Sequence, residues 1–356
     1  MKREAVATVR LDALRHNLRV VRRLCPHSRV FAMVKANAYG HGLVPVARAL
    51  GDADALGVAT LDEALALREG GIGRPIVLIE GVCDVRELRL AAEHGFTLVV
   101  HNVEQADMLR RTSLAHPVDV WLKLETGMHR LGMPETAADL AVDALRPRVR
   151  QLGAMTHFAC ADETGNALTR TQLERLMAFA RRHHLPASAA NSAGIVSLPA
   201  SHLDVVRPGI MLYGSSPVAG RPAADFDLQP VMTLHAQIIA VNEVPKGEGV
   251  GYGQTWHAPR DSRIGVVGIG YGDGYPRHAM PGTPVRLAAG TVPMVGRVSM
   301  DMIGIDLTAH PEARIGDAVE LWGGQLPVDT VARHASTISY ELFCRLTARV
   351  RFEYTG

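Results

Sequence analysis

The chain has 356 residues, with 38 basic and 36 acidic side chains, a formal net charge of +2, and hydrophobic and aromatic shares of 47% and 5%. Charges of both signs are interspersed and aromatics are scarce, which excludes the concentrated basic face and stacking platforms of a nucleic-acid binder. The ordinary balance of apolar and charged residues excludes a disordered chain.

Cys25, Cys83, Cys160 and Cys344 stand far apart without a C-x-x-C pair, so reduced thiols are expected rather than a disulfide framework or a zinc site. The opening stretch, MKREAVATVRLDALRHNL, has no apolar core of signal-peptide length. No segment approaches the roughly 18 apolar residues that a membrane helix needs. A cytoplasmic protein with no membrane partner is expected.

In chain order, eight short apolar runs follow. They are VFAMV from Val30, ALGVA from Ala55, IVLIE from Ile76, FTLVV from Phe96, DVWLKLE from Asp119, LGAMTHFA from Leu152, ASAANS from Ala187 and VVRPGIMLYG from Val205. Amphipathic stretches such as LVPVARAL, LDEALALREGG, DVRELRLAAEHG and VEQADMLRRT lie between them, several closing on Gly as helices tend to. Near-continuous apolar strands alternating with helices predict an α/β fold, a (β/α)8 TIM-type barrel over residues 1–225.

The pattern changes after about Gly220. GRPAADFDLQP reads as a linker, and beyond it VMTLHAQIIAVNEV, SRIGVVGIGYGDG, VRLAAGTVPMVGRVSMDMIGID and DAVELWGG succeed one another through Gly and Pro turns. A mostly β C-terminal domain is expected over residues 226–356, closed by helices around DTVARHA and SYELFCRL.

A barrel of this kind builds its active site from the C-terminal ends of its strands. The unusual polar residues fall there. Lys35 ends the first run and Tyr39 follows it; Lys123 and Glu125 end the fifth, with Arg130 just beyond; His157 lies late in the sixth, Asn191 and Ser192 end the seventh, and Arg207 is in the eighth. Each has an ordinary explanation: a helix cap for Asn191 and Ser192, an ion pair for Arg207, a satisfied core histidine for His157. Their convergence on one rim is what points to chemistry. The loops after strands seven and eight often hold a phosphate, and ANSAG and RPGIMLYG offer hydroxyl, amide and backbone N–H groups there. A lysine facing a phosphate pocket suggests a Schiff base to pyridoxal 5'-phosphate. A barrel aldolase would also use a lysine, but it leaves Arg207 unexplained.

The segments VKANAYGHG, LETGMHRLG, THFACAD, NSAG, RPGIMLYG, GVGYGQTW, IGYGDGYPR and VSMDMIGID together resemble alanine racemase, a fold-type III pyridoxal-phosphate enzyme, in the family's order over nearly the whole chain. The resemblance implies an isomerase that interconverts L- and D-alanine by two bases, to supply D-alanine for peptidoglycan or to degrade it. Lys35 would carry the cofactor and act as one base, and Tyr252, supplied by the partner subunit of a homodimer with composite sites, as the other. Tyr39, Asn191, Ser192, Gly209, Ile210 and Tyr340 would surround the phosphate. His157 would lie at the cofactor ring against Arg207, which would face the pyridine nitrogen. Arg130 would contact the cofactor's phenolic oxygen and the substrate carboxylate, the backbone N–H of Met300 would bind that carboxylate from the partner chain with Asp301 beside it, and Tyr271 would stand at the substrate entrance. Lys123 matches a lysine that is carbamylated in many members; the ordinary alternative is an ion pair with Glu125. Gly272 stands where alanine is more usual.

Rivals of two classes remain open at this point, another fold-type III enzyme and a non-catalytic carrier. A broad-specificity amino-acid racemase usually carries a secretion signal, and a decarboxylase of the same fold type places an acid where Arg207 stands. A non-catalytic pyridoxal-phosphate carrier would keep the lysine but lack the β domain with Tyr252.

Overall fold

The computed structural model describes residues 4–356. All eight apolar runs become strands of one closed parallel barrel: β2 (Arg29–Met33), β3 (Ala55–Val58), β4 (Ile76–Leu78), β5 (Thr97–Val100), β6 (Asp119–Lys123), β7 (Gln151–Met155), β8 (Ala187–Asn191) and β9 (Val205–Arg207), with β9 pairing back onto β2. Their side chains are buried almost throughout, as both faces of the strands require in a barrel sheathed by helices. Trp121 on β6 lies opposite Gly153 on β7, where a Cβ would meet its indole at 2.6 Å. The missing side chain makes room for the ring, which packs edge-on against Phe31 at 5.9 Å.

Three successive strand-to-helix turns on the barrel rim use one local device. Thr60, Asp84 and Asn102 accept the N–H groups of Glu63, Glu87 and Gln105 (3.3, 2.8 and 2.8 Å). Those three side chains reach back to the N–H groups of Ala59, Cys83 and His101 (2.9, 2.7 and 2.9 Å). Reciprocal bonds of this capping-box type satisfy donors that a helix start otherwise leaves orphaned, and they stiffen the rim.

The second unit is built on an eight-stranded sheet. Its strands are β1 (Val6–Arg10), β10 (Met232–Val244), β13 (Ser262–Val267), β14 (Pro284–Leu287), β15 (Gly290–Val295), β16 (Ile303–Asp306), β17 (Ala318–Trp322) and β18 (Arg351–Thr355). A small hairpin of β11 (Gly249–Val250) and β12 (Trp256–His257) stands apart from it. Trp322 and Tyr275, both fully buried, stack at 6.2 Å in its core. Among the described residues no helix is long and apolar enough to cross a membrane.

The division of the chain differs from the expected break at 225/226. The barrel unit comprises Leu14–Leu212 and Ser216–Leu228, and the β unit takes the residues up to Ala13, Tyr213–Ser215 and everything from Gln229. The N-terminal segment leaves the barrel because β1 inserts between β10, antiparallel, and β18, parallel, and its backbone groups are satisfied there. Tyr213–Ser215 goes the same way, since Ser215 Oγ bonds Asp329 Oδ1 and Ser339 Oγ, both at 2.6 Å. The linker-like GRPAADFDLQP is largely part of the barrel unit, where Asp227 pairs with Arg23 at 2.7 Å.

Gly214 has φ +78°, and a Cβ on it would lie 2.0 Å from the carbonyl oxygen of Gln229. Gly214→Ala is expected to destabilise the protein by about 3 kcal/mol or more, through left-handed strain plus a backbone clash. Chemical denaturation read by far-UV circular dichroism checks it.

Candidate active site

Lys35 emerges half-buried from the end of β2, and the chain then does something unusual. Ala36, Asn37, Ala38 and Tyr39 all adopt left-handed helical angles, with φ between 51° and 55°. For L-residues this costs about 1–2 kcal/mol at each position. Local bonds offset it: Asn37 Oδ1 accepts the N–H of Leu43 at 2.8 Å, its carbonyl accepts that of Gly42 at 3.0 Å, and its own N–H reaches Glu63 Oε1 at 3.2 Å. The turn carries Tyr39 back into the barrel, so that a Cβ on Gly209 would fall 2.4 Å from the Tyr39 hydroxyl oxygen. Glycine at 209 is what lets that hydroxyl approach the backbone.

The loops after β8 and β9 converge on the same point. Ser192 Oγ accepts the N–H of Gly209 at 2.8 Å and of Met211 at 3.4 Å. Its own hydrogen therefore remains to be donated to a ligand. Asn191 serves as a helix cap, its Oδ1 accepting the N–H of Gly194 at 2.9 Å. Ile210 is fully buried beside Gly209. Tyr39, Ser192, Gly209 and Ile210 are thus brought together, with Asn191 fixing the helix start behind them.

Opposite charges are in short supply on this rim. Arg207, 5% exposed, is held by Ser188 Oγ and by the carbonyls of Thr156 and Ala189. Burial brings its pKa down only to about 10, so it keeps its proton at neutral pH. Lys123, 6% exposed, is pushed down to about 8 by burial first and then by the charges of Arg207, Arg130 and Lys35, while Glu80 pulls the other way. Burial, and then the same three cations together with Lys123, hold His157 well below the usual histidine range, so its ring is neutral. The expected alternative of a Lys123–Glu125 ion pair does not describe Glu125. Its carboxylate accepts the N–H groups of Gly127, Met128 (2.9 Å) and His129 (2.8 Å) and shapes the loop that carries Arg130.

Sequence reasoning missed the supports beneath this cluster. Gln172, fully buried in the helix Ala167–His183, donates to Thr126 Oγ1 (3.2 Å) and to the carbonyl of His157 (3.0 Å) and accepts the N–H of Ala159 (3.0 Å). Thr126 and Thr156 share a hydrogen bond of 2.6 Å. A buried glutamine on the inner face of an amphipathic helix was the available signal.

Tyr252, Tyr271, Met300, Asp301 and Tyr340 all belong to the β unit. Tyr252 is 70% and Met300 52% exposed. Tyr271 and the Met300 segment are joined directly, the N–H of Tyr271 donating to the carbonyl of Ser299 at 3.0 Å and that of Gly272 to Met300 at 2.8 Å.

The family models for the alanine racemase N-terminal domain and C-terminal domain match residues 9–217 and 231–354. The chain is 50% identical to an alanine racemase of Nitrosococcus oceani over 347 residues, 97% of each chain. Its fold superposes on the biosynthetic alanine racemase of Pseudomonas aeruginosa with a TM-score of 0.97 at 47% identity, covering all of both chains. For the alanine racemase of Acinetobacter baumannii the TM-score is 0.96 at 42% identity, over 99% of this chain and 100% of that one.

The Lys123 environment has a measurable consequence. An amine lowered from 10.5 to about 8 leaves the unfolded state holding more protons between those values. Stability therefore rises with pH across that window, and the penalty is full below about pH 8. Cofactor-free Lys123→Met in carbonate-free buffer is expected to melt above the unsubstituted protein at pH 7, with the gap narrowing by pH 10. A gap that stays constant would show that neighbouring cations do not strain this amine.

Proposed function

The chain belongs to the alanine racemase family, and we propose that it interconverts L-alanine and D-alanine with pyridoxal 5'-phosphate held in the barrel. The observation that carries the reading is the barrel rim. Lys35, Lys123, Arg130 and Arg207 crowd their charges around His157, and the hydroxyls of Ser192 and Tyr39 meet at Gly209. That donor set fits a phosphorylated, anionic cofactor: it offers cations, hydroxyl donors and a backbone bared by glycine.

When bound, pyridoxal 5'-phosphate supplies the electron-withdrawing ring that acidifies the α-proton of the substrate. We assign its attachment to Lys35 and its phosphate to Tyr39, Asn191, Ser192, Gly209, Ile210 and Tyr340. Arg207 is assigned to the ring nitrogen, with His157 as a neutral neighbour. Because Arg207 keeps its proton, it donates a hydrogen bond without protonating what it touches. A permanently protonated Arg207 at that position would temper the electron withdrawal that the cofactor supplies, which would favour return of the proton to Cα over side reactions.

Inverting Cα needs one group to take the α-proton and another, on the opposite face, to return one. Lys35 Nζ and Tyr252 Oη are assigned these roles. Arg130 and the Met300 N–H are assigned to the substrate carboxylate, with Asp301 beside them at the substrate site, and Tyr271 to the entrance. A tyrosine and a methionine as exposed as Tyr252 and Met300 need a cover to act in a water-free site. This supports a homodimer in which the β-rich domain of each chain completes the partner subunit's site. We assign the enzyme to the cytoplasm.

Lys123 is proposed to be carbamylated. The ammonium first loses one proton; the neutral amine attacks carbon dioxide, forming a C–N bond as a C=O π pair moves onto oxygen, and a second proton leaves the nitrogen, so that an anion replaces a cation beside Arg130 and Arg207. A depressed pKa favours this by raising the share of neutral amine. Protein equilibrated with carbon-13 bicarbonate is expected to show a carbamate carbon resonance that Lys123→Arg lacks; a wild-type spectrum without it overturns the assignment.

The central test incubates L-alanine with the holoenzyme in deuterated water. Optical rotation is expected to vanish while Cα gains deuterium, and Lys35→Ala and Tyr252→Phe are each expected to lose about 100-fold or more in rate. Bound cofactor without exchange or racemisation would move the function to another substrate or to a carrier.

A further inference from the structure

Gly272 makes room for a specific neighbour. A Cβ there would lie 2.4 Å from Nη1 of Arg349 and 3.0 Å from the carbonyl oxygen of Met300. Arg349 bridges two carboxylates: its Nε pairs with Asp273 Oδ1 at 3.2 Å, and its Nη2 donates to Asp301 Oδ1 at 2.7 Å. Asp273 is fully buried, and its other oxygen accepts the N–H of Gly270 at 2.9 Å. Thr347, two residues before Arg349, donates its hydroxyl to the carbonyl of Gly272 at 2.9 Å. The guanidinium therefore ties the 270–273 turn, anchored by a buried carboxylate, to the segment that carries Met300 and Asp301.

We infer that Arg349 is a positioning residue for recognition of the substrate carboxylate, and that Gly272 is required for it. The inference rests on the assignment of Met300 and Asp301 to that carboxylate. Two physical effects combine. The two-armed bridge fixes the direction of the Met300 N–H, which a single-point lysine contact would not do. It also neutralises Asp301, whose bare charge would repel an incoming anion. Neither effect changes the proton-transfer steps, so the consequence falls on binding.

The holoenzyme and its variants are compared by steady-state kinetics, with acetate as a carboxylate probe that lacks an amine, and with circular dichroism melting as a check of folding. Arg349→Ala is expected to raise KM for both enantiomers of alanine about tenfold with kcat within about twofold, the pattern of lost uniform binding. The acetate inhibition constant should rise in parallel. Gly272→Ala should move KM the same way by about threefold, since the added methyl displaces Nη1 without removing it. Arg349→Lys, which keeps a cation beside Asp301 but not the two-armed bridge, should raise KM by less, about threefold. A merely structural role would lower melting temperature and kcat without that graded change in KM. A folded Arg349→Ala with unchanged KM and acetate inhibition, or an Arg349→Lys that moves kcat rather than KM, overturns the inference. Asp301→Lys separates it from its premise. If that cation alters neither KM nor acetate inhibition, the assignment of Met300 and Asp301 fails; if it alters them while Arg349→Ala does not, only the role of Arg349 falls.

Discussion

The burial of one guanidinium organises the barrel. Removing a cation from water costs several kcal/mol unless acceptors replace the solvent, and Arg207 obtains them from Ser188 Oγ and the carbonyls of Thr156 and Ala189. Carbonyls in a regular parallel strand are already engaged in the ladder. The pairing of β8 with β9 accordingly slips between Ser188 and Asn191, which frees the intervening backbone to turn toward Arg207. The chain past the end of β7 is fixed by the Thr126–Thr156–Gln172 network. Strand ends, loop shapes and the position of His157 thus follow from the need to solvate one buried charge.

That charge then sets the field for its neighbours. Lys123 and His157 both feel Arg207, and both lose affinity for protons. The cations prevail on this rim: Glu80 only partly offsets them at Lys123, and the Glu125 carboxylate is spent on loop amides. A predominantly positive field on a stiffened rim is unfavourable for the empty protein and favourable for an anion that enters it. The strained left-handed turn after Lys35 belongs to the same economy: it spends conformational energy to bring a hydroxyl to Gly209, where an anion gains from it.

Much of this was legible in the sequence. Eight apolar runs at regular spacing became eight barrel strands, because a strand buried on both faces announces itself locally. The convergence of Lys35, Lys123, His157, Ser192 and Arg207 was legible because a barrel places every strand end on one rim. Strand β1 was not legible as part of the β unit. Its partners β10 and β18 lie more than 200 and 300 residues away, and nothing in VATVR tells which sheet will accept it. The left-handed turn was hidden too, since three of its four residues are neither glycine nor asparagine and only tertiary bonds hold them there. Asn191 illustrates the reverse case: its ordinary reading, a helix cap, is one the fold does use.

The two units divide the work by solvation. Groups whose protonation must be tuned, Lys123, His157 and Arg207, lie inside the barrel, where low polarity makes each charge act strongly on the next. Tyr252 and Met300, the groups proposed to meet the substrate from the opposite side, stand exposed on the β unit. Side chains as exposed as these need a cover before they can act in a water-free site. In the proposed homodimer that cover would come only with the partner subunit, so that catalytic power would arise on assembly rather than on folding.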